Sequence, residues 1–162
     1  MNIANEVLEL LQKDATLSHA HMAAMIGTDE KTVTDTIAKL EDDGVILKYV
    51  AVVNAEKIET GRAEALIELK VSPQRDFGYD DIARRVYKFP EVEAVYLMSG
   101  TYDLAVKIEA PTMKDISKFV WEKLAIMDGI TSTVTLFIMR KYKENGIVLI
   151  NEEKGERLVI TP

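Results

Sequence analysis

An α+β chain in two parts is what the sequence predicts: an N-terminal winged helix-turn-helix followed by a ferredoxin-like βαββαβ domain. Three observations predict it. Apolar residues recur at helical spacing in three short segments ahead of Gly44. Past residue 45 the pattern changes to that of a strand rich in Val, Ile and Tyr. From residue 64 onward, strand-like and helix-like segments follow in the order of the split βαβ unit.

Each element can be justified in turn. Ile3, Val7, Leu10 and Leu11 stand at i, i+4, i+7 and i+8 and line one face of a first helix that ends at Asp14 and Ala15. Ser18 is the expected N-cap of a second helix with Leu17, Met22, Ala23 and Ile26 on its apolar side, closed by Gly27. Thr28 or Asp29 caps a third, where Val33, Ile37 and Leu40 repeat before Gly44. A strand is expected over 45–54 and a polar joint over 55–63. Alternation then predicts a strand over 65–71, a helix over 79–88 stopped ahead of Pro90, and strands over 92–98 and 102–110 joined by Ser99, Gly100 and Thr101. Thr112, with Asp115 three residues on, opens a helix whose buried stripe is Met113, Ile116, Val120, Leu124 and Met127. Gly129 ends it, and 133–142 is the last long strand. The tail reads as a short hairpin, 147–150 against 158–160. The expected divisions are 1–44 for the helix-turn-helix, 45–62 for wing strand and linker, 63–143 for the ferredoxin-like domain, and 144–162 for the tail.

Composition narrows the function. The 162 residues carry 20 Lys and Arg against 27 Asp and Glu, a net charge of −7, and 48% are apolar, enough for a sizeable core. Without Cys there is no disulfide scaffold, thiol catalysis or Cys-based metal centre, and a cytoplasmic location is the default. The longest apolar runs, such as 22–26 and 49–53, are five residues, where a membrane span needs about 20. No membrane partner is expected. The N-terminus, with Glu6 and Glu9 and no basic flank, does not read as a signal peptide.

No nucleophile-elbow, zinc-protease, dinucleotide or phosphate-loop pattern occurs, so neither enzyme activity nor a cofactor is expected. His19 and His21, two apart on a helix, point to different faces and read as an exposed pair rather than a metal site. Six of the methionines fall mostly on apolar faces, where core filling is the ordinary explanation. A helix-turn-helix brings its second helix to the major groove of double-stranded DNA. By the same spacing, three short helices could also be a plain scaffold. Ala23, four residues before Gly27, and Val33, six after it, let the two helices cross closely.

Leu17-Ser18, the turn from Ala23 to Gly27, residues 40–46 (LEDDGVI) and 49–54 (YVAVVN) make the first half resemble the DNA-binding half of the Lrp/AsnC transcription regulators. Residues 98–104 (MSGTYDL) and 129–135 (GITSTVT) resemble that family's regulatory (RAM-type) domain. The likeness spans about residues 2 to 143. It implies a homo-oligomer, a dimer that assembles into octamers or other even rings, which binds operator DNA and senses amino acids between paired regulatory domains.

One departure stands out. Residues 1–44 hold three basic side chains, Lys13, Lys31 and Lys39, and nine acidic ones. Asp35 stands where family recognition helices usually carry Arg. Lys31, Thr32, Thr34 and Lys39 are the residues left to face a groove, supplemented by Lys48, Lys57 and Arg62 of the wing and linker. Phosphate neutralisation supplies most non-specific affinity, so this domain alone should bind DNA poorly. The alternative is an amino-acid-binding oligomer that acts through protein partners.

For the effector, an amino acid needs an acceptor for its ammonium and donors for its carboxylate. The candidates are Gly100, Thr101, Tyr102 and Asp103 of the loop, with Thr133 and Thr135 on the last strand. A tight hairpin and β-favouring threonines would give the same pattern.

Overall fold

The structure is a computed structural model in which residues 2–58, 61–72 and 78–150 are described. The chain divides into two compact units, residues 1–51 and 52–162.

The first unit is built on α1 (Ile3–Lys13), α2 (His19–Ile26) and α3 (Glu30–Asp42). Their ends are set by local chemistry. Asn2 accepts from the Ala4 N–H, Ser18 from His21 and Asp29 from Thr32, each satisfying an N–H that a helix start leaves without a partner. Gly27 closes α2 at φ +82°, where a side chain would be strained. Val7, Met22, Ala23, Val33, Ile37 and Leu40 form the core between the helices, with Ile46 packed against it. A fully buried aliphatic side chain contributes roughly 1.5–3 kcal/mol.

The expected wing strand over 45–54 does not form a ladder. The segment has no regular secondary structure and is tied at its start by Val45 and Ile46 N–H bonds to the Leu40 carbonyl. Beyond that Leu47 is 87% and Val50 73% exposed. A strand needs a neighbour for its backbone groups, and the described chain provides none here.

In the second unit a 3₁₀ turn (Ala55–Lys57) precedes β1 (Ala63–Val71). Then come α4 (Tyr79–Val86), β2 (Val92–Leu97), β3 (Leu104–Ala110), α5 (Met113–Phe119), β4 (Ile130–Phe137) and a small hairpin, β5 (Lys143–Glu144) with β6 (Ile147–Val148). The four long strands form one antiparallel sheet in the order β2-β3-β1-β4. Ala65, Ile67 and Leu69 of β1 and Leu104, Val106 and Ile108 of β3 pack under the helices against Ile82, Val86, Ile116, Phe119 and Leu124. Gly129, at φ +93°, lets the chain turn into β4: a Cβ there would lie 2.7 Å from the Ile82 side chain.

Several boundaries differ from expectation. The helix after Thr112 is α-helical only to Phe119; residues 120–124 form a wider turn, with the Ala125 N–H bonded to the Val120 carbonyl at 2.8 Å. The last long strand runs over Ile130–Phe137 rather than 133–142, because it extends only as far as β1 pairs with it, from Val71↔Ile130 to Ala65↔Phe137. A hairpin forms ahead of the expected one. Asn145 (φ +47°) and Gly146 (φ +82°) make the turn, so 147–148 pair with 143–144. The proposed partner strand 158–160 lies outside the described residues. Among those residues no helix is long and apolar enough to cross a membrane.

Candidate functional site

Two surfaces carry the residues of interest. On α3 the exposed stripe is Lys31, Thr34, Asp35, Ala38 and Lys39, the spacing of one helical face. Two of the four candidate groove-facing residues are therefore exposed cations. Thr32 is different: it is half-buried, its hydroxyl donating to Asp29 Oδ2 at 2.5 Å and its N–H to Oδ1 at 2.9 Å. That side chain is engaged in the cap and is not free to read a base. The Thr32 hydroxyl and N–H hold the Asp29 carboxyl below its ordinary range.

Thr34 is exposed, but its hydroxyl donates to the Glu30 carbonyl at 2.9 Å and sits 2.9 Å from His19 Nδ1. His19 is half-buried and tied to α3, whereas His21 is exposed, so the two do not form an exposed pair. Arg62 of the linker is paired with Glu109 at 2.9 Å, which removes it from the list of free cations.

The second surface is the sheet face without helices. Directly opposed residues of antiparallel strands share a face. One row across it is Tyr96, Ala105, Glu68 and Val134; the next is Ala94, Lys107, Leu66 and Leu136. At the end of these rows the β2–β3 loop folds over. Leu66, Glu68, Leu104 and Ala105 together with residues 98–102 line an open cavity of about 390 Å³. Gly100 there has φ +155°.

Of the six candidate effector residues, Gly100, Thr101 and Tyr102 line this cavity. Asp103 does not. Its Oδ2 accepts from the Val71 N–H at 2.8 Å, its Oδ1 meets Lys70 Nζ at 3.1 Å, and its own N–H donates to the Leu69 carbonyl. The Val71 N–H, and after it the Lys70 ammonium, hold the Asp103 carboxyl below its usual range. Asp103 thus clamps the loop to the end of β1.

Thr133 and Thr135 are separated from the loop by the register. They pair with Leu69 and Ile67, whose side chains are in the core, so they lie on the helix-covered face, opposite Glu68. Sequence reading missed Glu68. Its alternation with Ile67 and Leu69 marks it as facing away from the core, but only the pairing brings it beside the loop.

Four charges fasten the small hairpin near the sheet. Lys141 meets Glu64 at 2.6 Å and Glu144 at 3.0 Å; Lys107 meets Glu144 at 3.1 Å and Glu64 at 3.3 Å. Burial disfavours the Lys107 ammonium, but Glu144 and Glu64 outweigh it and raise its pKa. The Lys141 ammonium, with Lys107 behind it, lowers that of Glu144. Among the described residues no group of His, Asp and Glu is arranged to hold a metal ion.

Comparison with known proteins matches both units. Residues 3–46 fit the family model for a winged helix-turn-helix DNA-binding domain, and residues 64–148 that for the Lrp/AsnC ligand binding domain. An uncharacterised HTH-type transcriptional regulator of Bacillus subtilis, YugG, is 40% identical over 97% of this chain and 95% of its own length. The HTH-type transcriptional regulator FL11 of Pyrococcus furiosus is 30% identical over 88% and 91%. The crystal structure of a Neisseria meningitidis transcriptional regulator in complex with L-Met superposes with a TM-score of 0.71 at 22% identity, covering 89% of this chain and 92% of that one.

Proposed function

The chain belongs to the Lrp/AsnC family of transcription regulators, with a helix-turn-helix DNA-binding domain and a ligand-binding domain, and on that premise we propose that its effector is a free amino acid bound under the β2–β3 loop. The observation that carries this reading is the cavity bounded by Leu66, Glu68 and residues 98–102. Its lining has the polarity a zwitterion needs. Glu68 supplies the acceptor for the ammonium, and the loop around Gly100 supplies backbone N–H donors for the carboxylate. Leu66, Met98 and Tyr102 offer apolar surface for the side chain. Asp103 keeps the loop in place. The L-Met in the Neisseria regulator is a precedent for this ligand class in a relative of the same fold.

Two copies are proposed to pair through the helix-free sheet face and the segment 45–53. That face exposes Tyr96 and Leu136 beside Leu66 and Val134, and the segment carries Leu47, Val50 and Val53 exposed, apolar surface that a second chain can cover. An operator for such a dimer is a pseudo-palindrome of double-stranded DNA read by two copies of α3.

Titration calorimetry with each common amino acid at millimolar concentration tests the effector. At least one should bind, and Glu68→Gln should weaken it ten- to a hundredfold, since a hydrogen bond to a charged group contributes about 1.5–3 kcal/mol. No binding by the wild type, or unchanged binding by the variant, would sink the assignment.

A further inference from the structure

The Thr34 hydroxyl has one proton to donate, and the Glu30 carbonyl takes it. Toward His19 Nδ1, 2.9 Å away, that oxygen can therefore only accept. Nδ1 then carries a hydrogen in the neutral ring and in the imidazolium alike, and Nε2 is the nitrogen that gains or loses the second proton. Charging the ring breaks neither hydrogen bond.

Position gives this consequence. His19 is the first residue of α2, and its ring is hydrogen-bonded onto the exposed stripe of α3 that also carries Lys31 and Lys39. In a helix-turn-helix the second helix enters the major groove while the first crosses the phosphate backbone. We propose that His19 is a further DNA-contacting residue, its Nε2–H donating to a backbone phosphate when the ring is charged, so that operator affinity depends on pH.

Charged groups of the protein lie near it, and the phosphate sets the sign. From α3 come Glu41, which lines the same cavity as His19, and Lys31 and Asp35 on either side of Thr34; from the segment after α3 comes Tyr49, whose hydroxyl donates to Glu41 Oε1 at 3.0 Å. The end of α1 and the turn after it bring Leu11, Ala15 and Leu17 to the same cavity. An approaching phosphate favours the imidazolium over the neutral ring. Histidine titrates between about pH 5 and 8, so DNA binding takes up a proton across that range. In a domain with three lysines against nine carboxylates, one more cation matters.

This inference rests on DNA binding by the helix-turn-helix, and the test separates the two. The full-length protein selects a fluorescent duplex from a random pool at about pH 6, and anisotropy follows binding at about pH 6 and pH 8 at two salt concentrations. The wild type should bind more tightly at the lower pH, by about tenfold for each engaged ring whose pKa rises one unit on binding. Its log–log salt slope should steepen by about 0.9 per ring. His19→Gln, whose amide can still donate to Thr34, should match the wild type at the higher pH, gain nothing at the lower one, and melt at the same temperature. His21→Gln should behave as wild type. If His19→Gln tightens on acidification as the wild type does, or has already lost binding at pH 8, the proposal falls while DNA binding stands. If the wild type forms no complex at either pH, both fall.

Discussion

Asp103 shows how one carboxylate can be claimed by two roles that only its neighbours distinguish. Placed next to a glycine-containing loop it invites a ligand's ammonium, but both of its oxygens are occupied, by the Val71 N–H and by Lys70. Its pKa is lowered in the folded chain, so its stabilising contribution is complete above the ordinary carboxylate value of about 3.9 and is lost as pH falls through the lower folded value. Asp103→Asn should therefore melt below the wild type at neutral pH and converge with it in strong acid, as followed by circular dichroism. It should weaken amino-acid binding less than Glu68→Gln does. If Asp103→Asn abolishes amino-acid binding while the protein melts normally, the ligand role returns to Asp103.

At the scale of the element, α3 is a recognition helix with little positive charge. Lys31 and Lys39 are its exposed cations, and Asp35 lies between them on the same face. Lys31→Ala should lower the salt slope of DNA binding by about 0.9 for each phosphate it no longer neutralises. Asp35→Arg should tighten binding to any sequence. Gel shifts at several salt concentrations check both, and an unchanged slope in Lys31→Ala would place that side chain off the backbone. The helix caps at Ser18, Asp29 and Thr112 were legible in the sequence because a cap is a bond between residues two or three apart. The ends of β4 were not, because a strand stops where its partner stops pairing. Asn145-Gly146, between 143–144 and 147–148, is a readable signal for a two-residue hairpin turn that the expectation of a later hairpin does not use.

For the whole molecule the exposed apolar surface is the dominant feature. Leu47, Val50 and Val53 after α3 and Tyr96 and Leu136 on the sheet remain in solvent in a single copy. These are the residues that the proposed pairing of two copies would cover. Leu136→Glu, which puts a charge on the sheet face, should shift the full-length protein toward monomer in sedimentation velocity and weaken DNA binding by removing the second half-site reader. Sedimentation identical to wild type would exclude this face as the interface.

The sequence by itself determined the three N-terminal helices, the βαββαβ order after them and the helix caps, all of which follow from spacing along the chain. It pointed to the family through its resemblance, in which the MSGTYDL and GITSTVT stretches were enough to indicate the loop. Only the tertiary structure decided which side chains meet. Pairing of β1 with β4 sends Thr133 and Thr135 to the helix side, and pairing of β1 with β3 sets Glu68 opposite Ala105 and brings it to the loop, since what a residue meets depends on its partner strand. The fold of α2 onto α3 likewise joins His19 to Thr34 across fifteen residues of chain. Periodicity fixes which face of its own element a residue occupies. Register and packing between elements fix what that face meets, and the binding chemistry is settled there.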